Sequence, residues 1–192
     1  LLTFVLPVED RRGAPPWPSP RDIMQRHLAA YTSPFIAAPA LGWLFYTLTF
    51  VSMLTILPTM VDPAQRAFVA AALPLASIAS SMSIGNVMLS RLTAISVVIA
   101  GFALAIGLVV VFLLTGPGTG LFIAIFAALG LVQGASFAAV PQLNASVADR
   151  ALSNGGIAQT GNIGNALGTP VMLAILTMEC LLYTSDAADE ED

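Results

Sequence analysis

The side chains of this sequence that can do chemistry are mostly amides and hydroxyls rather than acids and bases. From Ser153 to Leu176 the chain reads SNGGIAQTGNIGNALGTPVMLAIL. At about 100° per residue, Asn154, Asn162, Asn165 and Thr169 fall within an arc of roughly 80°, and Gly161, Gly164 and Gly168 form the adjoining stripe. A carboxamide offers two donors and one acceptor without charge. Such a face binds neutral hydrogen-bonding groups, whether they belong to a solute or to a neighbouring helix. The Gly164 to Gly168 spacing lets a second helix approach closely. Gly130 and Gly134 repeat that interval, with Gln133, Ser136, Phe137 and Val140 near one another. Further upstream, Trp43, Tyr46, Thr49, Phe50 and Met53 share one side of a helix, an aromatic surface with a few hydrogen-bonding groups that suits a ligand pocket. The candidates for lining a solute cavity are therefore Trp43, Tyr46, Thr49, Phe50, Gln133, Ser136, Phe137, Asn162 and Asn165. The candidates for helix packing are Gly130, Gly134, Gly161, Gly164 and Gly168.

Other chemistries lack their parts. The single histidine, His27, lies in a linker, and Ser77, Ser80, Ser81 and Ser83 have no base with which to form a nucleophile. One cysteine, Cys180, excludes an internal disulfide and a cysteine-based metal cluster. No phosphate-cradling glycine motif occurs. No catalytic residue, metal ligand or cofactor is expected, and the chain is not read as an enzyme. Seven arginines oppose six acids over residues 1–179 (Glu9, Asp10, Asp22, Asp62, Asp149, Glu179), which leaves no basic patch for nucleic acid.

The elements that position these groups follow from composition. Hydrophobic residues make up 57% of the chain and charged ones 9%, with a mean hydropathy of +0.85, whereas soluble domains carry roughly 25% charge. In hydrocarbon every backbone polar group must be satisfied internally, so helices of about 20 apolar residues are the expected units. Charge-free gaps, and the TGPGTG break at Thr115 to Gly120, set five spans at 33–60, 67–90, 92–114, 121–144 and 152–177. The fold class is an all-α integral membrane protein, a polytopic helical bundle occupying residues 31–179. The span from Leu92 to Leu114 is almost purely apolar and is expected to face lipid. Residues 7–30 read as a linker with a short surface helix, where Ser19 caps, Pro20 opens the first turn and Asp22 lies at the positive end.

Alternating the spans puts the loops at 7–30, 91 and 149–150 on one side. Arg11, Arg12, Arg21, Arg26, Arg91 and Arg150 then share that side, and Arg66 alone faces the other. By the positive-inside bias the first side is cytoplasmic, as in a multi-pass protein of the plasma (inner) membrane. Leu1 to Leu6 reads as the end of a preceding helix. Residues 180–192, beginning CLLYTSDAADE, resemble a translated sequencing adapter and are set aside as artefactual.

This layout of linker, surface helix, lipid-like third span and amide-bearing fourth and fifth spans resembles the carboxy-terminal half of a major facilitator superfamily transporter, from the end of helix six to helix eleven. The stretch GNVMLSRL (Gly85 to Leu92) is similar to the family's cytoplasmic Gly-x-x-x-Asp-Arg motif, without its aspartate and with Arg91 displaced by one residue. The resemblance implies a secondary transporter working by alternating access, with Pro58, Pro74, Pro141 and Pro170 supplying bends. It also implies a missing amino-terminal half as partner, alongside the bilayer and a small-molecule substrate. No carboxylate lies in a span, so a neutral, aromatic pocket favours an uncharged or amphipathic solute, exported rather than imported. The alternatives are a helical subunit with an assembly or receptor role, and a membrane enzyme whose catalytic part lies elsewhere.

Overall fold

The computed structural model of the protein describes residues 19–189, and among these every regular element is helical. The expected helix end at 1–6, the linker up to residue 18 with Arg11 and Arg12, and residues 190–192 lie outside the described residues. Helix α1 (Pro20–Thr32) begins at a capping box: the Asp22 amide donates to Ser19 Oγ (3.2 Å) and the Ser19 amide donates to Asp22 Oδ2 (3.1 Å). Ser33, extended at φ −83° and ψ 118°, separates it from α2 (Pro34–Ile56), which has proline in its first turn. A 3-10 turn over Leu57–Met60, containing Pro58, closes α2.

Asp62 turns the chain by accepting from the Ala64 amide (2.8 Å) and opens α3 (Arg66–Ser80). A π-helical turn at Ser81–Gly85 joins α3 to α4 (Asn86–Leu89). Thr93 caps α5 (Ala94–Thr115), whose exit glycine, Gly116, takes φ 85°, a conformation open to glycine and strained for other residues. Helices α6 (Thr119–Leu143) and α7 (Val147–Asp189) complete the order. The fifth span was expected to end at 177. The α7 backbone continues to Asp189 because nothing between Pro170 and that residue breaks a helix.

Among the described residues, four helical stretches are long and apolar enough to cross a membrane: Pro34–Met60, Pro63–Leu89, Ala94–Thr115 and Thr119–Leu143. Five were expected. Helix α7 is not among the four: over its described side chains, Asn154, Gln159, Asn162, Asn165 and the interspersed glycines dilute its apolar character. The outward faces of two of them, Pro63–Leu89 and Ala94–Thr115, carry Phe68, Leu75, Met82, Ile99, Ile106 and Leu114, all exposed. Water would not tolerate so continuous an apolar surface, and the protein is accordingly membrane-embedded.

Helix α6 is the central post, with twelve buried residues and with α2, α3 and α5 packed around it. Phe122, Ile125, Phe126, Leu129 and Val132 are fully buried there. Contacts along the seams fix the directions. Ile36, Ala40, Thr47 and Ser52 of α2 meet Ser153, Thr160, Gly164 and Gly168 of α7 in ascending order, so these helices run parallel. Gln65, Ser77 and Ser81 meet Thr119, Gly130 and Gly134, so α3 and α6 are parallel too. Helix α5 runs opposite to α6, with Ala94 beside Gln142 and Phe112 against Phe122. One end of the bundle therefore gathers α1, Arg91 and Arg150, while Arg66 lies at the other.

Candidate functional site

The glycine face of α7 is spent on α2. A Cβ at Gly161 would stand 2.6 Å from Trp43 Nε1, one at Gly168 would stand 2.6 Å from the Leu48 carbonyl oxygen, and one at Gly164 would collide with Thr47 Oγ1. Hydroxyls lock the same seam: Ser153 Oγ donates to the Ile36 carbonyl (3.2 Å), Thr160 Oγ1 to the Ala40 carbonyl (2.8 Å), and Thr55 and Thr169 pair at 3.3 Å. Because that face is consumed, the neighbouring amide stripe turns outward.

The stripe opens into a groove of about 370 Å³ between α2, α6 and α7, lined chiefly by Trp43, Thr47, Phe137, Asn154, Asn162 and Asn165. All three asparagines are exposed along it. The Thr47 hydroxyl is buried and donates to the Trp43 carbonyl (2.9 Å). Trp43 stacks on Tyr46 with centroids 4.7 Å apart and planes at 26°, and meets Phe137 edge-on at 4.7 Å and 62°. No charged residue lines the groove. Its chemistry is that of neutral donors and acceptors beside a flat aromatic wall, which holds a polar but uncharged group while an apolar surface lies on the indole. Among the described residues, no three His, Cys, Asp or Glu side chains stand close enough to hold a metal ion.

Of the nine residues expected to line a cavity, Trp43, Phe137, Asn162 and Asn165 meet in this groove. The other five are placed elsewhere. Tyr46 is buried behind Trp43, and Phe50 bridges Tyr46 (5.3 Å) to Phe126 (4.8 Å), so both belong to the core. Ser136 is buried and returns its hydroxyl to the Val132 carbonyl (2.8 Å). Gln133 accepts from Ser77 Oγ (3.1 Å) and so ties α3 to α6. Thr49 lines a separate cavity of about 500 Å³ with Phe45, Met53, Phe102 and Leu129, apolar apart from that hydroxyl. Thr47 and Asn154 complete the groove without having been among the candidates. Thr47 stands one helical turn after Trp43, which was its available signal.

The glycine pair on α6 lies in the other seam: Gly130 is seated on the Ser77 backbone, and a Cβ at Gly134 would stand 2.6 Å from Ser81 Oγ. The π turn carries Ser81 to that contact and sets Gly85, buried, against the Ser80 carbonyl and Leu131. Arg91 is exposed at the end of that connection. At the same end of the bundle, Arg150 Nε donates to the Asn144 carbonyl (2.8 Å), and Asn144 Nδ2 donates to the Phe35 carbonyl (3.2 Å). No family model matches the chain, and no curated protein or solved structure is significantly similar to it.

Proposed function

We propose that this chain is the carboxy-terminal half of a secondary transporter of the major facilitator type. It moves a small uncharged or amphipathic solute, outward rather than inward, by alternating access. One observation carries the reading: the amide stripe of α7 faces a groove walled by Trp43 and Phe137, while the helix spends its glycines on α2. A stripe serving only to glue these helices together would have turned its amides into the seam.

Two further features support it. The parallel pairs α2 with α7 and α3 with α6, each sealed by glycines and joined to one another through α2 and α6, make this half one stiff body able to rock against a second. The end that gathers Arg91, Arg150 and α1 matches the cytoplasmic face of an inner-membrane protein under the positive-inside bias. In this reading the partner facing the groove is the amino-terminal half, and α7 is a fifth spanning helix that tolerates its amides because they face that partner and solute rather than lipid.

The test is solute export from cells expressing the full-length protein with Asn162→Ala or Trp43→Ala. A pathway role predicts normal membrane abundance with export reduced at least tenfold or redirected to other solutes. Lost abundance with unchanged export per molecule assigns the residues to assembly instead.

A further inference from the structure

Helix α1 stands outside the bundle core, and its exposed apolar side chains share one side of it. Ile23, Met24, Leu28 and Tyr31 are all exposed, and Met24 and Leu28 are each about 60% exposed (61% and 59%). At about 100° per residue they span an arc of roughly 140°, a register that also takes in His27, with Arg21 at its edge and Asp22 and Gln25 beyond it.

Both ends of this helix are tied. Ser19 and Asp22 cap its start. At its other end Tyr31 donates its phenolic hydrogen to Gln159 Oε1 on α7 (2.8 Å). Gln159 lies nine residues beyond Arg150, about 13 Å along the helix axis. Arg150 belongs at the water-facing end of the bundle, so Gln159 lies below the headgroup level. A tyrosine ring long enough to reach it brings the end of α1 down to that level. Ser33 alone, in extended conformation, then separates α1 from the spanning helix α2. The helix therefore has no room to stand off in the cytosol.

We propose that α1 lies in the headgroup layer of the cytoplasmic leaflet, with Ile23, Met24 and Leu28 inserted among the upper acyl carbons and Arg21 among the phosphates. Tyr31 and Gln159 lock its orientation to α7, beside the amide stripe. A helix so placed buries its apolar arc in lipid and keeps its polar side in water. Basic residues near such a surface favour anionic lipid. The proposal rests on the placement of the bundle in a bilayer and not on transport, so it stands or falls separately from the function above.

The test uses the full-length protein with native cysteines replaced, carrying one nitroxide at position 24, 25 or 28 through Met24→Cys, Gln25→Cys or Leu28→Cys. These positions are exposed, so the label displaces no packing. The protein is held in nanodiscs of phosphatidylethanolamine and phosphatidylglycerol. Dissolved oxygen concentrates among acyl chains and a nickel chelate stays in water. Collision with oxygen is expected to exceed collision with the chelate at 24 and 28, and the order is expected to reverse at 25. Chelate in excess at 24 and 28 would make α1 a solvated connector, and exclusion of both reagents there would mean that protein covers it; either result overturns the proposal.

Discussion

Replacing Gly164 with alanine tests the α2–α7 seam at its tightest point. The added Cβ would collide with Thr47 Oγ1 and stand 2.8 Å from the Leu44 carbonyl oxygen and 3.0 Å from the Leu48 amide nitrogen. Ordinary Cβ contacts begin at 3.4 Å, so the Leu44 carbonyl must retreat by about 0.6 Å. Two of the three obstructing atoms are backbone and cannot rotate away, so the seam opens. Overpacking of this kind costs about 1–3 kcal/mol, offset by the roughly 0.5–1 kcal/mol that alanine gains over glycine inside a helix. Gly155, on the same helix with nothing within 4 Å of its Cβ position, is the matched control. Gly155→Ala keeps the helix gain without the clash. The two variants should therefore differ by about 2 kcal/mol, more than tenfold in the unfolding equilibrium. The assay is unfolding of the purified chain in dodecyl maltoside by increasing mole fractions of dodecyl sulfate, followed by tryptophan emission, to which Trp43 on this seam contributes. Equal midpoints for the two variants would refute the packing described for α2 and α7.

Two other sites give independent predictions. A double-mutant cycle on Ser77→Ala and Gln133→Leu should show a coupling of about 0.6 kcal/mol, the usual size for a hydrogen bond between membrane helices, and a coupling of zero would mean that α3 and α6 are not joined there. Asn144→Leu removes the donor to the Phe35 carbonyl at the arginine-bearing end; a loss of about 1 kcal/mol in the same unfolding assay is expected, and unchanged stability would show that this bond does not hold α2 to α6.

Some of this architecture is legible in the residues alone. Long uncharged stretches between Arg66, Arg91 and Asp149 force helices, because hydrocarbon leaves the backbone no partner but itself. The α7 stripes are legible for a related reason: glycines at four-residue intervals and amides beside them follow the helical period. Neighbours are a different matter. Trp43, Phe50, Tyr46 and Thr49 share one broad side of α2, but Thr49 lies about 120° round from Trp43. Different helices divide that arc: α7 leaves Trp43 open to the groove, Phe50 packs on Phe126 of α6 with Tyr46 buried beside it, and α5 faces Thr49 across the apolar cavity. Periodicity shows which residues share a face and says nothing of how many partners the face has. The fate of Gln133 depends in the same way on Ser77, 56 positions earlier. The π turn at Ser81–Gly85 has no pattern that marks it.

Reactivity of a cysteine at position 162 toward a membrane-impermeant maleimide tests the central claim most directly. With the full-length Asn162→Cys protein in right-side-out and inside-out vesicles, and other cysteines replaced, the groove reading predicts labelling from both sides, each reduced when the opposite side is held open by a trapped conformer. Labelling from neither side would place Asn162 in a closed helix seam, and labelling from one side only, whatever the conformer, would make the groove a static cleft and not a pathway.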